Sequence, residues 1–220
     1  MPPPRSLTPS GIILADKPAG PTSFAIVAAV RRKTGARTGH AGTLDPFATG
    51  LLLLLSGAST RLQPRFVGLD KRYVTEVDLS ATTTTGDPEG DVAEEHDAPG
   101  RDELEKRLDE LRGVVELPIP AASAVKIEGE RAYRLHRRGV AVEMPTRRMH
   151  VHELVLESYG DGVARLALLV SSGTYVRSIA EALGGHCRTL RRTEIGPFSV
   201  EEADADTIIP PEQALARLEA

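Results

Sequence analysis

The chain has 220 residues, of which 40% are hydrophobic and 26% are charged, a composition typical of a globular protein. This composition excludes a disordered, collagen-like or disulfide-stapled chain, and the single cysteine, Cys187, excludes an internal disulfide and a cysteine-based zinc site. The net charge of −4 argues at first sight against a nucleic-acid partner.

The first ten residues contain no apolar stretch, so they are predicted to form a disordered tail and not a signal peptide. The longest aliphatic run, residues 51–55, is far shorter than the roughly 20 residues that a membrane span needs. Together with the single cysteine, these features predict a cytoplasmic protein that does not cross a membrane.

Strand and helix signals are interspersed along the chain, which predicts an α+β fold with a mixed sheet. Strand patterns fall at residues 11–15, 51–55, 73–79, 151–159, 163–170 and 187–195. Helix patterns fall at residues 22–35, 101–111, 132–138, 174–183 and from 211 onward. Residues 160–162 read Gly-Asp-Gly, which predicts a tight antiparallel hairpin. The polar, acidic residues 82–100 are predicted to form a surface loop.

The charges are arranged in blocks along the chain. Residues 1–72 carry +7, residues 73–125 carry −10, residues 126–192 carry +5 and residues 193–220 carry −6. Two basic blocks could converge on one basic face that binds nucleic acid, while the acidic blocks keep the molecule soluble. Charge alone is equally compatible with solvated helix faces.

The loop at residues 38–50 presents an aspartate, Asp45, on a rigid backbone, because Pro46 bars helix at the residues before it. The same sequence also fits an ordinary Asx turn. His40 and Asp45 could ligate a metal in an unrelated metal-dependent hydrolase, but no third ligand follows at a recognised spacing, and His150 with His152 is no stronger a pair. Because dinucleotide and P-loop signatures are also missing, we predict neither metal nor cofactor.

Three further side chains have both a functional and a structural interpretation. Arg177 could keep a nearby carboxylate ionised, or form an ordinary structural ion pair. Tyr175 lies two residues before it and shares its side only while the chain is extended. Tyr73 could stack on a base or simply cover the sheet.

Five segments, residues 14–23, 39–50, 71–73, 173–177 and 190–192, occur in the order and with the residues of the TruB family of tRNA pseudouridine synthases. The chain resembles this family over roughly residues 11–198. The resemblance implies a pseudouridine-synthase fold, with a mainly antiparallel mixed sheet, flanking helices and a basic insertion at about residues 124–148 that clamps the T-stem-loop. It also implies isomerisation of uridine 55 in the tRNA T-loop to pseudouridine without a cofactor.

The resemblance assigns roles position by position. Asp45 matches the catalytic aspartate, Tyr73 the tyrosine that stacks on the target base, and Arg177 the arginine that pairs with the aspartate. Tyr175 and Leu190 match pocket residues, and His40 matches a histidine that occupies the space left by the flipped base. The remaining predicted RNA-binding residues are Lys17, Lys126, Arg137 and Arg138, with phosphate contacts also expected from Arg31, Arg32, Lys33 and Arg37.

The predicted organisation is a tail (1–10), a catalytic domain (11–200) and a C-terminal helix or tail (201–220), with no room for the small RNA-binding domain that bacterial members usually carry. We expect a monomer whose partner is tRNA. Two alternatives remain: an RNA chaperone that binds and refolds the T-arm without turnover, and a synthase that acts on another RNA.

Overall fold

The computed structural model describes residues 10–219. The predicted tail, residues 1–10, therefore lies outside the described residues except for Ser10. The chain forms two compact units, one from residues up to Tyr73 together with those from Arg191 onward, and one from Val74 to Leu190. The predicted catalytic domain over residues 11–200 contains parts of both units and stays a prediction.

The described strands are, in chain order, β1 (Gly11–Lys17), β2 (Thr38–His40), β3 (Thr49–Ser56), β4 (Lys71–Asp78), β5 (Ala81–Thr83), β6 (Val92–Glu95), β7 (Gly113–Pro118), β8 (Lys126–Ile127), β9 (Glu130–Arg131), β10 (Thr146–Gly160), β11 (Val163–Val170), β12 (His186–Ile195), β13 (Phe198–Ser199) and β14 (Asp204–Ile209). The α-helices are α1 (Ser23–Thr34), α2 (Gln63–Val67), α3 (Arg101–Glu110), α4 (Ala132–Arg137), α5 (Val176–Ala182) and α6 (Pro211–Ala216), and short 3-10 helices span Gly57–Leu62 and Val200–Glu202. The helices are interspersed among the strands, as the α+β prediction requires, and the strand pairs are mainly antiparallel.

In the first unit the strand order is β14-β1-β3-β12, and β2 also pairs with β3. The β1–β3 pair is antiparallel, with Gly11 opposite Ser56 and Lys17 opposite Gly50. Alternate residues of these strands belong to two different hydrophobic clusters, one of which includes Val27 and Val30 of α1. Because both faces are covered, the run at residues 51–55 is continuously apolar instead of alternating.

Helix α1 begins and ends as its sequence predicts. The side chain of Thr22 accepts a hydrogen bond from the amide of Ala25 at 3.1 Å, which satisfies a donor of the first turn. Gly35 ends the helix in the left-handed region, at φ 66°. The helix therefore starts directly after the β1–α1 loop, close in sequence to the residues that hold the Asp45 loop.

The second unit contains the strand order β4-β11-β10-β7. The predicted hairpin is confirmed: β10 and β11 pair antiparallel, and Asp161 and Gly162 form the turn with positive φ angles of 51° and 75°. The prediction of a plain surface loop at residues 82–100 is wrong in part, because β5 and β6 pair there as a short hairpin. The hairpin has no apolar alternation in its sequence, because all four residues of β6 are exposed.

Several further strands are absent from the sequence analysis, the short β2, β8, β9 and β13 as well as the longer β7 and β14. Strand β7 follows α3, and β14 lies where only a helix or tail is predicted, although the expected helix from residue 211 is present as α6. Strands β7 and β14 each lie at an edge of the strand order and contain no buried residue, so their apolar pattern is weak. Among the described residues, no helix is long and apolar enough to cross a membrane.

Candidate active site

Asp45 lies in the loop between β2 and β3 and is half-buried. The carbonyl of Asp45 accepts a hydrogen bond from the amide of Ala48 at 3.2 Å, which closes a turn around Pro46. The rigid loop predicted from the sequence is therefore present. Its position depends on three buried polar side chains that bond to its backbone.

The first of these is Ser23, the first residue of α1, which is 1% exposed. Its hydroxyl oxygen accepts a hydrogen bond from the Leu44 amide at 2.8 Å and donates to the Leu44 carbonyl at 2.9 Å. One hydroxyl therefore satisfies both backbone groups of the residue that precedes Asp45.

The second is Lys17, which is fully buried. Its ammonium group donates to the carbonyls of Pro46 and Ala48, at 2.9 and 2.7 Å, as well as to Pro18 at 2.8 Å. Lys17 therefore has no exposed surface in this structure and holds the loop after Asp45. The substrate contact predicted for it stays a prediction. The amide of Gly20 adds a further bond to the Pro46 carbonyl at 2.8 Å.

The third is Arg192 in β12, which is 1% exposed. Its guanidinium donates to the carbonyls of Leu51, Gly42 and Thr43, at 2.8, 3.1 and 3.4 Å. The backbone of Arg192 also lies against Gly50, where a Cβ atom would sit 2.2 Å from the Arg192 carbonyl oxygen. Glycine at position 50 is therefore required by this close approach and by its φ of 101°.

The buried arginine changes the electrostatics of its neighbours. Burial, assisted by the charge of Arg192, lowers the pKa of His40, and the Nδ1 atom of His40 is buried without a hydrogen-bond partner. The same two causes lower the pKa of Lys71 to about 8, against a smaller opposing effect of Asp70. His40 is consequently neutral at physiological pH, which suits a residue predicted to exchange places with an uncharged base.

Tyr73 on β4 and Leu190 on β12 are both buried, with exposed fractions of 8% and 6%. Their burial is compatible with lining a pocket and equally with covering the sheet. The stacking role predicted for Tyr73 and the pocket role predicted for Leu190 stay predictions.

In the second unit, Arg177 lies in a buried polar network. Its Nη1 atom is 3.2 Å from Oδ2 of Asp87, and the two side chains are 3% and 4% exposed. The guanidinium also donates to the carbonyls of Thr85 and Ala122, at 2.7 and 3.1 Å. The Arg177 side chain is therefore held in one position by charge-assisted bonds. The predicted pairing of Arg177 with Asp45 stays a prediction.

Asp87 is itself held in place. Its Oδ1 atom accepts hydrogen bonds from the Thr85 hydroxyl at 2.6 Å and the Glu89 amide at 3.0 Å. Burial and the charge of Asp87 raise the pKa of nearby Glu181, against the opposing effect of Arg177. The network thus holds one arginine and one carboxylate in a region shielded from water, with the more exposed Glu181 beside them.

The remaining predicted residues of this unit fall into two groups. Tyr175 is half-buried, and the guanidinium of Arg147 lies 5.5 Å from its ring centroid. Lys126, Arg137 and Arg138 are exposed on the basic insertion, which forms β8, β9 and α4. An open groove of about 490 Å³ lies within this insertion and is lined by residues 126–128 and 143–146.

Sequence analysis missed Ser23, Arg192 and Asp87. Arg192 and Ser23 lie inside the matched segments, but nothing in their spacing indicates which backbone groups they bond. Asp87 lies in the stretch predicted to be solvated. It precedes Pro88, as Asp45 precedes Pro46, and this repeated Asp-Pro pair was the available signal. Among residues 10–219, no three or more His, Cys, Asp and Glu side chains form a group that could hold a metal ion.

Comparison with known proteins identifies close relatives. A family model described as TruB family pseudouridylate synthase, N-terminal domain, matches residues 30–176. A tRNA pseudouridine synthase B of Thermobifida fusca is 42% identical over 210 residues, covering 88% of this chain and 72% of the relative. One of Leifsonia xyli subsp. xyli is 41% identical over 222 residues, covering 94% and 74%.

Solved structures with the same fold are also found. A Cbf5 complex with Nop10 and Gar1 matches with a TM-score of 0.66 at 27% identity, covering 86% of this chain and 50% of that chain. This chain thus spans about half the length of the matched chain of that complex. A structure described as pseudouridylate synthase matches with a TM-score of 0.51 at 18% identity, covering 97% and 75%, which supports the fold alone.

Proposed function

Because the chain belongs to the TruB family of pseudouridylate synthases, an isomerase family that acts on tRNA uridine, we propose that its target is the uridine at position 55 in the T-loop. The observation that carries this proposal is the Asp45 loop, which lies within the matched residues and is held from both sides by buried side chains. We propose further that the enzyme acts as a monomer on the T-stem-loop in the cytoplasm.

The reaction breaks the C1′–N1 bond, turns the uracil and joins C1′ to C5, with no redox step and no hydrolysis. We propose that Asp45 supplies the carboxylate, either as a nucleophile at the sugar or base or as the base that removes a sugar proton. Both routes need an ionised carboxylate at a fixed position. The bonds from Ser23 and Lys17 to its neighbours fix the backbone that presents it.

We propose that the target nucleotide leaves its stack and enters a pocket that includes Tyr73, Tyr175 and Leu190. Unstacking costs a few kcal/mol, which stacking on an aromatic ring and contacts to phosphates can offset. A neutral His40 would then occupy the vacated space without placing a charge among the bases. In this proposal Arg177, which Asp87 holds in place, supplies the cation that the ionised Asp45 requires.

The test measures pseudouridine in an unmodified T-arm hairpin by carbodiimide labelling and primer extension, with EDTA present. The wild-type protein is expected to give a stop at the T-loop uridine, and Asp45→Asn is expected to give none. Asp161→Asn is the matched control, because Asp161 lies in the exposed β10–β11 turn with a φ of 51°, which asparagine tolerates.

The other outcomes are equally informative. Full activity of Asp45→Asn would remove Asp45 from the chemistry. RNA binding that weakens with salt, without product from the wild-type protein, would support the T-arm chaperone. A stop at a different uridine would contradict the assignment to position 55.

A further inference from the structure

Phe24 is the most exposed large hydrophobic side chain among the described residues, with 66% of its surface accessible. The protein has only four phenylalanines and no tryptophan, so a phenylalanine in water is a notable use of an aromatic ring. Single exposed apolar residues are common on protein surfaces. Exposure alone therefore does not indicate a function, and the evidence comes from where Phe24 lies in the fold.

Phe24 is attached directly to the structure that holds Asp45. It follows Ser23, whose hydroxyl bonds both backbone groups of Leu44. The β1–α1 loop before it is bonded to the same loop through the Gly20 amide and the Pro46 carbonyl. The backbone of Phe24 is consequently fixed relative to the loop that carries Asp45, while its ring stays in solvent.

The helix face that carries Phe24 also carries positive charge. Ala28 and Arg31 follow at spacings of four and seven residues, which places them on the same face. Arg31 and the adjacent Arg32 are exposed and have no ion-pair partner in the described part of the chain, whereas Lys33 pairs with Asp206. One aromatic ring therefore stands at one end of this face and two available cations at the other.

We propose that Phe24 stacks on an unpaired base of the substrate RNA next to the target nucleotide, while Arg31 contacts a phosphate of the same strand. This inference rests on the proposed function. RNA loops are recognised by stacking of splayed bases on aromatic rings together with phosphate contacts. A protein partner fits less well, because no second exposed large apolar side chain of α1 joins Phe24 to form an apolar patch.

The absence of tryptophan gives a direct test. The Phe24→Trp variant contains a single tryptophan, whose fluorescence reports stacking on a base. We expect an unmodified T-arm hairpin to quench this fluorescence, with RNA binding followed independently by anisotropy of a labelled hairpin. Val92→Trp is the matched control, because Val92 is 58% exposed in the acidic β6 segment, and its fluorescence is expected to stay unchanged.

Affinity measurements provide a second, independent readout. Phe24→Ala is expected to weaken hairpin binding about 10-fold. Phe24→Leu should weaken it similarly, because leucine keeps apolar surface but has no ring. Phe24→Trp and the exposed control Val92→Ala should bind as the wild type does. The melting temperature should not fall in any of these variants, since the side chains are exposed.

Unquenched fluorescence of Phe24→Trp while RNA is bound, or unchanged affinity of both Phe24→Ala and Phe24→Leu, would overturn the inference. If the Phe24→Trp variant fails to fold, the alanine and leucine variants still decide the question. Failure of the proposed function is distinguishable, because then the wild-type protein forms no pseudouridine whatever the fluorescence does.

Discussion

The hydroxyl of Ser23 bonds both the amide and the carbonyl of Leu44, the residue directly before Asp45, at 2.8 and 2.9 Å. Ser23 is the first residue of α1, so the helix start and the Asp45 loop are joined by one side chain. Together with Lys17 and Arg192, it provides buried polar contacts to the loop backbone on both sides of Asp45. The aspartate is therefore presented by a loop whose backbone polar groups are satisfied by distant side chains.

Replacement of Ser23 by alanine is expected to impair chemistry more than RNA binding. The change leaves both backbone groups of Leu44 without their partner in a buried place, which costs roughly 1–3 kcal/mol of folding free energy. A shift of about 1 Å in a catalytic group can slow a reaction by about 100-fold. We expect a strongly reduced single-turnover rate at saturating RNA, with the hairpin dissociation constant nearly unchanged.

Thr22→Ala is the matched control for this prediction. Thr22 caps the same helix through the Ala25 amide and does not bond the Asp45 loop, and its loss costs roughly 1 kcal/mol. It should lower the free energy of unfolding without changing the single-turnover rate. Equal rates in the two variants would mean that Ser23 stabilises the fold only and does not position Asp45.

Asp87→Ala is expected to destabilise the protein strongly, because it removes the carboxylate partner of a buried arginine. Breaking a buried pair from one side typically costs about 3–5 kcal/mol, since the remaining charge is left poorly compensated. Asp87→Asn should cost less, because an amide oxygen can still accept the bonds from Thr85 and Glu89. Urea unfolding gives the free energies.

The exposed ion pair between Arg101 and Glu105 on α3 is the comparison for the Asp87 variants. Glu105→Gln should change the free energy of unfolding by less than about 1 kcal/mol. A similarly small effect of Asp87→Ala would show that water reaches Arg177 and that the pair is not buried in solution.

Residues whose role is set by local pattern were predictable from the sequence. The aliphatic run at residues 51–55, the cap and closing glycine of α1, and the Asp161–Gly162 turn each express a short-range rule. The match to five ordered segments also predicts the family, which the comparisons confirm, and it singles out Asp45 as the candidate catalytic aspartate. These features depend on neighbours in the chain, so the chain alone is enough to find them.

Residues whose role is set by distant contacts were not predictable. Arg192 bonds carbonyls about 150 positions away, and Arg177 bonds Thr85, 92 positions away. The sequence does not distinguish a basic side chain that the fold buries from one that lies on the surface. The burial of Lys17 is unpredictable for the same reason, because lysine side chains are ordinarily exposed.

Lys71 is expected to make stability depend on pH in the alkaline range. Burial and Arg192 lower its pKa from 10.5 to about 8, so between these values the unfolded chain binds the proton more tightly than the folded one. The free energy of unfolding should therefore rise with pH across this window, because Lys71 loses its proton at a lower pH in the folded protein than in the unfolded chain.

The measurement compares the wild type with Lys71→Met by urea unfolding at pH 7 and pH 10. The methionine variant loses the bonds that Lys71 donates to the carbonyls of Val67 and Leu69. This loss changes the free energy of unfolding by the same amount at every pH. The pH dependence of the difference isolates the titration. A difference that stays constant from pH 7 to pH 10 would mean that Lys71 keeps an ordinary pKa.

Arg137 on the basic insertion is expected to contribute to RNA affinity through phosphate contact. It is exposed on α4 near the ring of Tyr133 and forms no ion pair within residues 10–219, whereas the adjacent Arg138 pairs with Glu130 at 2.9 Å. Arg137 can therefore bind a phosphate without first breaking an ion pair with a carboxylate. Each phosphate neutralised contributes roughly −0.7 to −0.9 to the slope of log affinity against log salt.

Arg137→Ala should thus weaken binding of the T-arm hairpin at low salt and reduce the magnitude of that slope by about 1. Arg101→Ala is the control, since Arg101 is equally exposed but stands on the acidic helix α3 and pairs with Glu105. Binding is measured by fluorescence anisotropy between 50 and 200 mM salt, a range over which a phosphate contact has a clear effect. An unchanged slope in Arg137→Ala, with the wild-type slope steep, would place the phosphate contacts on other basic residues and remove Arg137 from the RNA-binding surface.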